Sequence, residues 1–153
     1  MKIAISYPPI INKRGQTAMV SQNRNVQFFK TPTYLLPIIE AQAATWLRDL
    51  GYDLKWDDGN SQLKSYKKWF ADLVNWEPNI VVFESTTPVM KFYWKTTNDL
   101  RKKLPKTIFI MTGYHSMKRP EETLKKSTTD IVLKSNHIDF ALVNLIPYIE
   151  KNP

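Results

Sequence analysis

Five short strand-like runs, apolar throughout or at alternate positions, each closed by turn residues and followed by a helix pattern, constrain this chain more than any other feature. The runs are Ile3-Ala4-Ile5, Tyr52 to Trp56, Ile80-Val81-Val82-Phe83, Thr107 to Met111 and Asp130 to Leu133. Ile80 to Phe83 is apolar at every position, as a central strand buried on both faces must be. Between the runs lie helix patterns. Thr31-Pro32-Thr33 opens the first, with Pro37 in its first turn. Ile39, Ala43, Trp46, Leu47 and Leu50 form its stripe, and Gly51 ends it. Ser61 to Asn75 carries Leu63, Tyr66, Trp69, Phe70, Leu73 and Val74 on one face, and Pro78 stops it. Ser85-Thr86-Thr87-Pro88 opens a third helix that ends near Pro105. Short and long helices follow over Pro120 to Lys126 and Ile138 to about Glu150, with Pro147 inside the last. Strands alternating with helices predict an α/β, three-layer, doubly wound, parallel five-stranded sheet in the flavodoxin-like (Rossmann-like) order 2-1-3-4-5. Residues 1–153 read as one domain. Trp46, Trp69, Phe70, Phe92 and Trp94 sit at helical spacing and read as core. The polar stretch from Ile10 to Lys30 reads as a long loop, a feature more often functional than idle in compact domains.

The sequence has no cysteine and two histidines. That excludes a disulfide scaffold, a thiolate nucleophile and a cysteine-ligated iron–sulfur cluster in this chain. No apolar run is long enough to span a membrane, and the N-terminus lacks the pattern of a signal peptide, so a cytoplasmic location is expected. The net charge of +8 divides evenly between the two halves of the sequence. Its one linear asymmetry is the start, where Lys2, Lys13, Arg14, Arg24 and Lys30 precede the first acid, Glu40.

In such a sheet, ligands bind beyond the carboxyl ends of the strands, where the strand order switches. The loops there are the one after Ser6, Asp57-Asp58-Gly59, Glu84 to Pro88, Gly113 to Ser116 and Lys134 to His137. Ser6-Tyr7-Pro8-Pro9 after the first strand excludes a Gly-x-Gly-x-x-Gly dinucleotide loop and a Walker loop, because neither can bring its backbone to a phosphate without glycine. No Gly-x-Ser-x-Gly elbow is present. Glu84, Thr112 and Lys134 stand where a phospho-receiver keeps its acid, hydroxyl and lysine, but the paired acids after the first strand are missing. Asp57-Asp58 read as turn residues, and Glu121-Glu122 as complements to a helix N-terminus behind Pro120. His115 and His137 fall in polar loops at the predicted binding edge, not on an apolar face, where an imidazole can serve a ligand.

At these same loops the chain resembles a known family. The stretches are ISYPP at the first strand, SQNRNVQFF with TPTYLLP before the first helix, and WDDG after the second strand. FESTTPVMKFYW follows the third strand, and GYHS with RPEE the fourth. Collinear over almost the whole chain, they resemble the N-terminal cobalamin-binding domain of cobalamin-dependent radical S-adenosylmethionine enzymes. The resemblance implies a corrinoid across the strand ends. Tyr7, Pro8, Pro9, Asn23 and Arg24 would flank the ring, and Ser85, Thr86, Thr87 and Pro88 would form a wall. Gly113, Tyr114, His115 and Ser116 would lie against the lower face or the nucleotide tail, with Ser135 and Asn136 near the tail. No metal ligand is assigned; His115 is the candidate if cobalt takes one, since Ser6-Tyr7-Pro8 replaces the Asp-x-His-x-x-Gly motif of methionine-synthase-like domains. Lys134-Ser135-Asn136-His137 stands where family members carry a Gly-Gly-acid stretch. The implied function is a stand-alone cobalamin carrier or accessory domain, not an enzyme on its own, serving a separate radical or methyl-transfer subunit. The alternative is a member that has lost cobalamin and uses the basic N-terminal loop for a protein or nucleic acid, with Tyr7, Phe28 and Phe29 as exposed aromatics for stacking on bases.

Overall fold

The computed structural model describes residues 1–20, 26–28, 31 and 36–152. Strands β1 (Lys2–Tyr7), β4 (Asp53–Asp58), β5 (Ile80–Glu84), β6 (Ile108–Thr112) and β7 (Ile131–Val132) form an all-parallel sheet ordered β4-β1-β5-β6-β7. Counting these five alone gives the order 2-1-3-4-5 expected from the sequence. The register runs from Lys2↔Asp53 to Tyr7↔Asp58 and from Ile80↔Ile108 to Glu84↔Thr112, so all the strands end at one edge.

Helices cover both faces because alternate residues of the central strands are apolar on both. Ile3, Ile5, Ile80, Val82 and Ile110 pack under α1 (Ile38–Asp49) and α6 (Ile138–Lys151), against Leu47, Leu142 and Ile146. Ala4, Val81, Phe83 and Phe109 pack under α2 (Tyr66–Trp76) and α3 (Met90–Arg101), against Trp69, Leu73 and Tyr93. Phe83 and Phe109 stack across this layer at 6.4 Å. Of the aromatics read as core, Trp69 and Trp94 are buried, while Phe70 and Phe92 are partly buried beside them. Trp46 is half-buried and meets Phe140 edge-on between α1 and α6.

Several boundaries differ from the sequence reading, each for a local reason. The stretch from Ile10 to Lys30 is not all loop. Asn12 Oδ1 accepts from the backbone N–H of Arg14 and Gln16, closing a turn, and Ala18–Val20 (β2) pairs antiparallel with Val26–Phe28 (β3). Helix α1 starts at Ile38, with Pro37 in extended conformation as its cap, so Pro37 precedes the helix and does not lie in its first turn. Ile39 and Leu50 are consequently at its ends and exposed. Helix α2 starts at Tyr66 because Ser65 caps it, its side chain accepting from the N–H of Lys68; Leu63 lies outside, exposed, at φ 50°. Thr87–Val89 is a 3₁₀ turn leading into α3, which ends at Arg101. Gly113 to Ser116, read as loop, opens the short helix α4 (Tyr114–Lys118), followed by α5 (Pro120–Lys126). No helix among the described residues is long and apolar enough to cross a membrane.

Candidate functional site at the carboxyl edge of the sheet

The chain leaves β1 and β5 in opposite directions, and the first side chains past that divergence are not open to solvent. Tyr7 is buried, donates its hydroxyl hydrogen to Glu84 Oε2 at 3.0 Å and lies 5.7 Å from the Trp56 ring. Burial, reinforced by the charges of Glu84 and Glu40, holds its phenol well above the usual range. Tyr7 therefore spans the switch point from within and cannot be the exposed stacking aromatic expected of it. Pro8 and Pro9 are buried as well. The Pro8 carbonyl accepts from Asn60 Nδ2 at 3.2 Å, and Asn60 Oδ1 accepts from the Ile10 N–H at 3.0 Å, so they are clasped by the turn after β4.

That turn holds a polar cluster the sequence reading missed. Asp58 is the turn residue expected, its Oδ1 accepting from the N–H of Asn60 and Ser61. Asp57 is fully buried. It accepts from Ser6 Oγ at 3.2 Å and from Lys64 Nζ at 2.8 Å, and Ser6 Oγ accepts in turn from Trp69 Nε1 at 3.0 Å. Burial alone lowers the Lys64 ammonium pKa, and the hydrogen bonds and charges of Asp57 and Asp72 together more than offset this. A buried carboxylate with two donors, one of them an ammonium, fixes the β1 and β4 ends to α2.

The structure joins the loops after β5 and β6. Gly113 has φ 94°, and a Cβ there would stand 2.1 Å from the Ser85 carbonyl oxygen. The backbones touch because nothing separates them. Ser85 N–H donates to the Thr112 carbonyl at 3.0 Å, and the Ser85 and Ser116 hydroxyls lie 3.3 Å apart, both buried. Thr86 is buried too, whereas Thr87, Pro88 and Tyr114 are exposed above this junction. The result is a closed polar base carrying an open rim.

His115 sits beneath that rim and not in an exposed loop. It is 8% exposed, edge-on to Trp94 at 5.7 Å. Its Nδ1 lies 3.3 Å from Thr87 Oγ1, and its Nε2 faces Glu122 Oε2 at 3.6 Å. Glu122 is also paired with Arg119 and Lys126, and the hydrogen bond from Lys126 leads in holding its carboxyl below the usual range. Burial pulls the imidazole pKa down; Glu122 opposes this, while Arg119 and Lys126 add to it. The unfolded chain therefore takes up this proton before the folded one does. The contribution is fully present above about pH 6.5 and is lost as pH falls toward the depressed native value. We expect the melting temperature to drop between pH 7 and pH 5, and His115→Gln to remove part of that slope; an identical slope in the variant contradicts the assignment.

Asn23 and Arg24 lie outside the described residues. Ser135 Oγ accepts from the His137 N–H at 3.0 Å, which uses it to shape the entry to α6, and Asn136 is exposed. His137 caps α6 with its ring edge-on to Phe140. Among the described residues no group of three His, Asp or Glu side chains is placed to hold a metal ion. Glu84 and Thr112 are adjacent across β5 and β6 as in the receiver reading, but Glu84 is engaged by Tyr7 and Thr112 is fully buried. A cleft of about 540 Å³ near the end of β7 is lined by Lys118, by Arg119, Pro120, Glu121 and Glu122 of the RPEE stretch, and by Lys134 of the loop after β7.

No family model matches the sequence, and no curated protein matches it. Among solved structures, one match is the radical S-adenosylmethionine methyltransferase TsrM from Kitasatospora setae, with cobalamin and a [4Fe-4S] cluster bound. It is 12% identical with a TM-score of 0.49, over 81% of this chain and 22% of that one.

Proposed function

We propose that this chain binds cobalamin at the carboxyl edge of its sheet and serves radical or methyl-transfer chemistry held on a separate catalytic subunit. One observation carries the reading. The segments 85–88 and 113–116, which bear two of the collinear motif matches, are fused at the Ser85–Gly113 contact into one rim beside the strand-order switch. The donors present suit an amide-rich, singly phosphorylated ligand: exposed Thr87, Tyr114 and Asn136 can meet it from above, over a base whose hydroxyls already satisfy one another. The fit does not extend to a histidine on cobalt, because His115 is buried with its ring nitrogens turned to Thr87 and Glu122. When bound, the corrinoid would supply a cobalt centre able to carry a methyl group. This chain's residues would bind and orient it, and without cysteine they hold no cluster.

The test is to mix purified protein with hydroxocobalamin and, separately, methylcobalamin, desalt, and record the visible spectrum. We expect retention near one equivalent. Colourless protein with every form overturns the reading. His115→Ala is expected to leave the spectrum of retained cobalamin unchanged, and a shift in the cobalt bands would instead make His115 a ligand.

A further inference from the structure

We propose that the layer formed by α2 and α3 is a docking face for the phosphate backbone of a nucleic-acid duplex. The +8 charge that divides evenly along the sequence does not divide evenly across the sheet. Helix α2 with its cap Glu77, and α3 with the segment following it to Lys106, hold eight Lys or Arg and three acids. On the opposite face α1 and α6 hold two and four. Of the two helix layers, that of α2 and α3 is therefore the positive one, and a polyanion is drawn to it in preference to the other.

The cations on that layer are available. Lys67, Lys91, Lys103 and Lys106 are exposed and pair with no carboxylate among the described residues. Along α3, Asp99 is shared between Lys95 and Lys102, so one acid there meets two lysines.

The same face argues against other polyanionic partners. No large apolar side chain on α2 or α3 is exposed. A protein partner would need such anchors, since lysine is depleted at the centres of protein interfaces, and a lipid surface would need apolar side chains to enter it. Single strands are held by stacking on open aromatic rings. Tyr66, Phe70 and Phe92 are instead packed on one another, with centroids 5.9 and 5.7 Å apart. Spaced lysines without anchors or rings match a duplex backbone, which asks only for cations and gives salt-dependent affinity.

The experiment is fluorescence anisotropy of a labelled duplex of about 20 base pairs, titrated with the full chain from about 50 to 200 mM salt. Four backbone phosphates contacted predict a slope of log K on log salt of roughly −3 to −4. A Lys67→Glu, Lys91→Glu, Lys103→Glu, Lys106→Glu variant is expected to bind at least tenfold more weakly, its slope shallower by roughly one per lysine. Four equal reversals elsewhere, at the exposed Lys13, Arg14, Lys118 and Lys151, should keep most of the affinity. Circular dichroism confirms that each variant is folded. No duplex binding at about 50 mM salt, equal losses in both variants, or preference for a single strand or for phosphatidylserine vesicles overturns the proposal. Cobalamin retention by the same variants is read separately, so neither result decides the other.

Discussion

Replacing Asp57 with alanine is expected to lower the unfolding free energy by about 3 kcal/mol, the lower end of what removing one partner from a buried ion pair costs. The lower end applies because Lys64 is 17% exposed and regains some water, whereas Asp57 is 0% exposed. The loss has three parts. Lys64 Nζ loses its 2.8 Å partner and keeps only Asp72 Oδ2 at 3.5 Å, Ser6 Oγ loses its side-chain acceptor at 3.2 Å and keeps the Asp57 carbonyl at 3.3 Å, and a fully buried space is left short of atoms. For a chain of this length that energy corresponds to a fall in Tm of roughly 6–12 °C. Chemical denaturation of Asp57→Ala, Lys64→Met and the double variant gives the coupling. The double variant should be more stable than Asp57→Ala with its penalty added to that of Lys64→Met, by more than about 1 kcal/mol. A loss below about 1 kcal/mol in Asp57→Ala, or no coupling, would mean that the pair does not hold the β1 and β4 ends as described.

Asp57 also shows what a linear reading misses. The apolar residues end at Trp56, which predicts a strand from Tyr52 to Trp56, but β4 continues to Asp58. Leu54 and Trp56 pack on the α1 side, so Lys55 and Asp57 face α2 by the two-residue period of a strand. Extending the alternation by two residues would have put a carboxylate on a covered face, and a covered carboxylate needs a cation. Lys64 supplies it from a turn whose geometry no periodicity reveals.

The sheet was legible because its signal is local: apolar runs, turn residues and the handedness of crossovers leave few orders to choose among. The site was legible only in part. The candidate loops after β1, β4, β5, β6 and β7 lie at the carboxyl edge, since strand ends alone determine that. Their exposure was not. Tyr7, Ser85 and Ser116 look like polar groups offered to a ligand, yet each has a partner inside the protein, Glu84 for the tyrosine and the opposite serine for the others. Gly113-Tyr114-His115-Ser116 carries turn chemistry, which predicts a loop position for His115. The glycine instead caps a short helix that turns the imidazole onto Trp94 and Glu122. The charge asymmetry was hidden for the same reason: helices on opposite faces alternate along the chain, so a count by halves mixes them.

Replacing Gly113 with alanine is expected to be the most damaging of the glycine-to-alanine changes, and it connects stability to the proposed binding. Two costs add. A residue with a Cβ at φ 94° is strained, by about 1–3 kcal/mol. Its Cβ would also stand 2.1 Å from the carbonyl oxygen, 2.8 Å from the nitrogen and 3.0 Å from the carbonyl carbon of Ser85. These are backbone atoms at the end of a buried strand and cannot yield as a flexible side chain would, so the loops after β5 and β6 must move apart. That separation breaks the Ser85–Ser116 contact and displaces Thr87 from His115. Gly51 provides the control, since it has φ 91° and nothing within 4 Å of its would-be Cβ. Gly51→Ala therefore reports the strain alone. We expect Gly113→Ala to destabilise by at least about 2 kcal/mol more than Gly51→Ala, a difference in the range of overpacking penalties in a close-packed interior. Below its melting temperature the Gly113 variant should also fail to retain hydroxocobalamin, while the Gly51 variant retains it. Equal destabilisation by the two substitutions would show that the loops are not in contact. Full retention by a destabilised Gly113→Ala would place the ligand away from the rim they form.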